Sequence, residues 1–141
     1  MIILDTNVIS ALMRHPADEK VIAWLDRQPR SSIWATSITL LELYYGFQIM
    51  SAGRKRSTLL QRLETLVMEK LDRRIAAFEI SAAGHAADLM AARKKSGRPV
   101  ELRDAMIAGI DLASNATLVT RNKTHFDDLP ISVIDPWTAK L

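Results

Sequence analysis

A chain of 141 residues, 48% apolar and 25% charged, has the size and make-up of one domain with a real core, which excludes a disordered or fibrous protein. It has no cysteine, so disulfide scaffolds, zinc–thiolate sites, iron–sulfur clusters and thiol nucleophiles are excluded too, and no apolar run approaches the roughly 20 residues needed to span a bilayer. The net charge of +3 is modest, but cations gather in Arg54-Lys55-Arg56, Arg73-Arg74, Arg93-Lys94-Lys95 with Arg98, and Arg121-Asn122-Lys123, patches that suit either a phosphate backbone or an ordinary solvated surface.

The first element is the apolar run Ile2-Ile3-Leu4, which ends abruptly in Asp5 and reads as a buried strand delivering a carboxylate to its C-terminal edge. In open α/β sheets that edge is where ligands sit. No targeting segment is expected before a strand that starts at Met1, and cytoplasm is the expected compartment. A short helix follows Thr6-Asn7 to about Met13. The next helical segment, about 17–27, has Pro16 near its first turn and carries Val21, Trp24 and Leu25 at helical spacing.

Ser32-Ile33-Trp34-Ala35 predicts a short second strand. Ser37 then reads as the cap of a helix over 38–50, with Ile38, Leu41, Tyr45 and Ile49 as its apolar stripe and Gly46 as the mark of a close helix contact. Ser51-Ala52-Gly53 breaks that helix, and another covers 57–70 with Leu59, Leu60, Leu63, Leu66 and Val67 inside. These two helices have more apolar positions than a small core needs, which predicts a homodimer through this hairpin.

Ile75-Ala76-Ala77-Phe78 is a third strand candidate, followed by a helix over 82–95 capped by Ser81 and stopped by Ser96-Gly97-Arg98-Pro99. A helix over 102–113 and the strands 117–120 and 131–134 complete the chain. Strands separated by helices predict one α/β domain over 1–141, three-layer α/β/α, with a central, mainly parallel sheet of four or five strands.

Three acids have unusual settings. Asp5 ends the first strand; Glu42 lies one residue off the apolar stripe of its helix; Asp104 sits in the first turn of a strongly apolar helix. Carboxylates that converge in a cleft stay charged only if a cation offsets their repulsion, and oxygen-only ligation is what Mg²⁺ and Mn²⁺ prefer. Such an ion would lower the pKa of a water and neutralise a phosphoryl oxygen during in-line attack. Singly, each acid also has a plain structural reading, since a first-turn aspartate suits the helix dipole without any ligand. His85, Trp24, Trp34 and Trp137 read as packing or surface residues rather than as chemistry.

Ile2-Ile3-Leu4-Asp5-Thr6-Asn7-Val8, Thr39-Leu40-Leu41-Glu42-Leu43-Tyr44-Tyr45-Gly46, Leu102-Arg103-Asp104-Ala105-Met106-Ile107-Ala108, and Leu118-Val119-Thr120-Arg121-Asn122 with Phe126 resemble, in order, the four blocks of a PIN-domain protein. The resemblance is to the VapC/FitB branch of toxin ribonucleases, also called plasmid-stability proteins. It implies a metal-dependent endoribonuclease with Asp5, Glu42 and Asp104 as catalytic metal ligands and Thr6 holding a carboxylate or water. Asn7 would orient the loop after the strand. Arg121 and Lys123, which lie beside a predicted sheet edge, would grip flanking phosphates. It also implies Mg²⁺ or Mn²⁺ as cofactor, RNA as substrate, a homodimer, and a cognate antitoxin that inserts across the acidic cleft and links the protein to DNA only indirectly. Family members commonly carry an acid after the Thr-Arg-Asn stretch. This chain has Asn122, able to ligate through its carbonyl without adding charge, and His125, better matched to Mn²⁺ or a phosphate.

Two rival readings follow from the same residues. A receiver-like domain would use Asp5 as phosphoacceptor, with Lys123 as the only candidate for its lysine. An idle module would bind without turnover.

Overall fold

The computed structural model describes residues 1–140. Its elements are β1 (Ile2–Leu4), α1 (Thr6–Met13), α2 (Glu19–Leu25), β2 (Ile33–Thr36), α3 (Ser37–Gln48), α4 (Arg54–Thr65) running on into a π-helical turn (Leu66–Lys70), and β3 (Ile75–Ala76). Then come α5 (Ile80–Lys95), α6 (Leu102–Ser114), β4 (Thr117–Val119), a 3₁₀ turn (Lys123–Phe126) and β5 (Ser132–Ile134). All five strands pair in parallel, in the order β3-β2-β1-β4-β5. Among the described residues no helix is long and apolar enough to cross a membrane.

Side chains on a strand alternate faces, so a three-residue strand buried on both sides must be apolar throughout. In β1, Ile3 joins one core and Leu4 the other; in β4, Leu118 and Val119 divide the same way. One face is covered by α1, α2, α3 and α4 through Val8, Val21, Leu43, Phe47 and Leu63, the other by α5 and α6 through Ala82, Leu89, Ile107 and Ile110. This is the expected three-layer arrangement, with five strands. The chain winds outward from β1 to β2 and β3, then returns to add β4 and β5 on the other side. The direction of winding therefore reverses between β1 and β4, which opens a crevice beyond their carboxyl ends.

Several local expectations shift. The N-cap of α3 is Thr36, whose hydroxyl accepts from Thr39 N–H, while Ser37 Oγ accepts from Phe78 N–H. Helix α5 starts at Ile80, before Ser81, and α2 starts at Glu19 with Asp18 as cap, three residues after Pro16. Helix α4 begins at Arg54, not 57. The largest difference is on α3: its buried face is Ile38, Thr39, Leu43 and Phe47, while Leu41, Tyr45 and Ile49 are 56%, 59% and 67% exposed. The helix carries two apolar faces, and of the expected stripe the core takes only Ile38.

Nor does Gly46 mark a close contact, for a Cβ there would meet nothing within 4 Å. The close approach is at Gly109 of α6, where a Cβ would stand 2.4 Å from the Ala82 carbonyl oxygen and 3.0 Å from Ala86 Cβ on α5. Backbone cannot yield as a flexible side chain can. Gly109→Ala is therefore expected to destabilise by about 1–3 kcal/mol, overriding alanine's helix advantage of about 1 kcal/mol, as a lowered denaturation midpoint will register.

Candidate active site

The crevice at the β1/β4 carboxyl ends collects the acids. Asp5 follows β1 directly, is 5% exposed, and caps α1 by accepting Thr6 N–H at 2.8 Å. Its other oxygen accepts from Thr120 Oγ1 at 2.7 Å and Asn7 Nδ2 at 3.4 Å. Thr120 follows β4 as Asp5 follows β1, and the register Leu4 to Val119 brings the two strand ends level. Asn7 ties the crevice together: it donates to Thr120 Oγ1 and accepts from Arg121 N–H at 3.1 Å.

Glu42 enters from α3, on the β2 side. Its Oε1 accepts from Thr6 Oγ1 at 2.9 Å, and Thr6 Oγ1 stands 2.9 Å from Thr39 Oγ1. Thr36 Oγ1 in turn reaches Thr39 Oγ1 at 3.4 Å, so hydroxyls of two buried threonines lead through Thr6 to one carboxylate. Asp104 enters from the first turn of α6, with His125 Nδ1 at 3.8 Å from its Oδ2. Glu101 caps that helix through the backbone N–H groups of Arg103 and Asp104, and its free oxygen accepts from Arg103 Nε at 3.0 Å.

The structure thus brings Asp5, Thr6, Glu42 and Asp104 to one crevice. Electrostatics agree with the geometry. Burial holds the Asp5 carboxyl above its ordinary range despite its hydrogen bonds from Thr120 and Thr6. Burial raises Glu42 as well, with the charges of Asp5 and Asp104 adding to it. Asp104 is raised by burial, then by Asp5 and Glu101. Glu42 and Asp104 both feel the Asp5 charge, and a cation beside them would relieve it.

Among the described residues, no three His, Cys, Asp or Glu side chains stand close enough to close around an ion on their own. A small hard ion that keeps several waters needs only one or two carboxylates directly. Oxygen donors with one imidazole at the margin are the chemistry of Mg²⁺ or Mn²⁺.

The remaining expected site residues lie at the rim. Arg121 is exposed, and its guanidinium lies 4.4 Å above the Trp137 ring, whose Nε1 donates to Asp18 Oδ2 at 3.0 Å. Asn122 is exposed; its backbone N–H donates to Thr120 Oγ1 at 3.1 Å and it precedes the 3₁₀ turn that Lys123, also exposed, begins. That turn is anchored from α5: buried Arg93 grips Asp128 with two nitrogens and the His125 carbonyl with one. His85 is exposed on α5 and Trp24 is buried in the core, as packing and surface residues should be.

Sequence reasoning missed Thr39, the structural part played by Thr120, the contacts of Arg103, and Asp111. Thr120 was open to inference, because a polar residue directly after a second central parallel strand mirrors Asp5. Asp111 had no signal. It lies in mid-α6, fully buried, with neither carboxylate oxygen hydrogen-bonded among the described residues, and burial followed by the Asp5 charge pushes its carboxyl up to about 8.

A family model described as the PIN domain matches residues 2–131. The chain is 37% identical over 137 residues to the VapC ribonuclease Y4jK of Sinorhizobium fredii, covering 97% of this chain and 98% of that one. It is 34% identical to the plasmid stability protein StbB of Pseudomonas syringae pv. tomato, across 99% of this chain and 100% of the relative. The solved FitAcB of Neisseria gonorrhoeae superposes with a TM-score of 0.87 at 32% identity, covering 99% and 100% of the two chains.

Proposed function

The chain belongs to the PIN-domain toxins of the VapC/FitB type, and from that membership we propose a metal-dependent endoribonuclease toxin whose catalytic residues are Asp5, Glu42 and Asp104. The observation that carries this reading is the convergence of three carboxylates from β1, α3 and α6 at the crevice where the winding of the sheet reverses. One domain carries the whole activity.

Asp5, Glu42 and Asp104 would hold Mg²⁺ or Mn²⁺ directly or through water, and the Asn122 carbonyl would be a further ligand. When bound, the ion supplies a lowered water pKa and offsets charge on the phosphoryl oxygen. The protein's own part is positioning. Thr120 and Asn7 fix the orientation of Asp5, and Thr6 fixes Glu42. Arg121, steadied over Trp137, and Lys123 bind phosphates flanking the cut. Water oxygen bonds to phosphorus in line with the departing O3′ and gives a proton to solvent, the P–O3′ bond breaks, and the O3′ electron pair takes a proton from solvent. A 5′-phosphate and a 3′-hydroxyl remain.

The test is incubation of the purified chain, free of antitoxin, with total RNA and Mg²⁺ or Mn²⁺. Discrete fragments bearing 5′-phosphates are expected, and excess chelator stops their formation. Cutting undiminished in chelator overturns the reading.

The partners follow from family membership and from exposed surface. A cognate antitoxin neutralises the toxin; the relative VapBC2 of Rickettsia felis is solved bound to a DNA fragment from its promoter. DNA contact in this system runs through the antitoxin. A second copy of this chain covers the outward face of α3, where Leu41, Tyr45 and Ile49 form one exposed stripe. Sedimentation at micromolar concentration should give a dimer, and Tyr45→Glu a monomer; a wild-type monomer contradicts the pairing.

A further inference from the structure

We infer that Arg103 is a third phosphate-binding residue, placed on the Glu42 side of the crevice and held at rest by the carboxylates it will leave. This inference rests on the ribonuclease reading and extends it. Arg103 precedes Asp104 in the first turn of α6, with its side chain 46% exposed. Its Nε donates to Glu101 Oε1 at 3.0 Å, and its Nη1 stands 3.9 Å from Glu42 Oε2. Among the described residues no hydrogen bond uses Nη2. The guanidinium is thus aimed at the crevice by a tether, in partial contact with one acid, with donors to spare.

The placement is complementary to Arg121. The sheet order puts β4 and the Arg121 loop on one side of Asp5, and β2 with the start of α3 on the other. Arg121 and Lys123 can therefore contact the strand on the β4 side alone. On the Glu42 side, the guanidinium that reaches the acids is Arg103. A polyanion crossing three carboxylates needs a cation at both ends of its path, because the acids repel it.

The Glu42 contact makes the device conditional. With no ion present, Arg103 offsets part of the Glu42 charge. A divalent ion offsets that charge more strongly, and the guanidinium is released from Glu42 while Glu101 keeps it in reach. Arginine suits the task, since its planar fork holds one anion through Nε while presenting two further nitrogens to another.

Removing this cation should therefore move two equilibria in opposite directions. In Arg103→Gln, Mn²⁺ alone, titrated calorimetrically without RNA, should bind about 2- to 5-fold more tightly, as loss of a nearby positive charge requires. A short fluorescein-labelled single-stranded RNA of mixed sequence, with Ca²⁺ replacing Mg²⁺, should bind about 5- to 10-fold more weakly, and its log–log salt slope should fall by about 0.7. Arg103→Lys should keep the slope and regain part of the affinity. Thermal midpoints of both variants should match wild type, because Arg103 is exposed.

RNA and Mn²⁺ binding that weaken together with the thermal midpoint would show a merely structural residue and overturn the inference. Unchanged RNA binding in Arg103→Gln, with wild type cutting RNA in metal, overturns the inference and leaves the ribonuclease reading standing. Wild type that neither binds nor cuts RNA overturns both.

Discussion

Asp5→Asn should reduce metal-dependent RNA cleavage by roughly 10²- to 10⁴-fold. The exchange removes one negative charge and one metal-capable oxygen while keeping shape. Metal-ion stabilisation of a phosphoryl transition state is worth several kcal/mol, and each 1.36 kcal/mol is about tenfold in rate. Folding should survive, because burial already holds the Asp5 carboxyl above its ordinary range and the amide removes the charge that burial penalises. Initial cleavage rates for both proteins at saturating Mn²⁺, beside their thermal midpoints, check this. A variant that keeps more than about a tenth of wild-type activity refutes the assignment.

Asp111 should make the protein less stable as pH rises, and replacing it should reverse the trend. Its ordinary value is 3.8 and burial pushes it up to about 8 in the folded chain. Below pH 3.8 both states keep the proton and the group is neutral in the balance. Between the two values the unfolded chain ionises first, so stability falls by up to about 1.4 kcal/mol per pH unit. Above the folded value the loss stops growing. At pH 7 the upper bound is about 4 kcal/mol, relieved in part by local opening that admits water.

Asp111→Ala should therefore be more stable than wild type by about 2 kcal/mol at pH 7, a rise of roughly 5–10 °C in midpoint, and lose that advantage near pH 4. Asp111→Asn should flatten the pH dependence without opening a cavity. Burial raises Asp5, Glu42 and Asp104 as well, with neighbouring carboxylates adding to it at Glu42 and Asp104, so a residual slope of the same sign stays in both variants. Denaturation midpoints from pH 4 to 8 decide it. Parallel curves for wild type and Asp111→Asn would show that Asp111 is not held protonated.

The strands were legible because a buried parallel strand has little choice of residue: Ile3 and Leu4, like Leu118 and Val119, are apolar on opposite faces, and each pair is followed by a polar residue. From that pattern the position of Asp5 follows, and with it the edge at which a ligand would sit. Asp104 was legible by its place in a first turn. Glu42 was legible chiefly through family resemblance, since nothing local says that α3 turns this residue toward Thr6.

Helix α3 shows where periodicity stops informing. Leu41, Tyr45 and Ile49 repeat as cleanly as Leu43 and Phe47, and spacing cannot say which face the chain covers itself. Of the expected stripe only Ile38 is buried, and Leu41, Tyr45 and Ile49 lie on the exposed face. Gly46 and Gly109 differ in the same way: both stand mid-helix, and only the approach of Ala82 distinguishes them. Asp111 was illegible because an aspartate in a helix is ordinarily assigned to solvent, and local sequence carries no record of a buried, unpartnered carboxyl.

If Asp5, Glu42 and Asp104 together hold a divalent ion, anomalous diffraction from crystals of the chain grown with Mn²⁺ will locate it. A manganese peak in the crevice is expected, within about 2–2.5 Å of one or two of these carboxylates and linked to the others through water, with none in crystals of Asp5→Asn. No peak at the crevice in well-ordered crystals, or an undiminished peak in Asp5→Asn, would contradict the assignment.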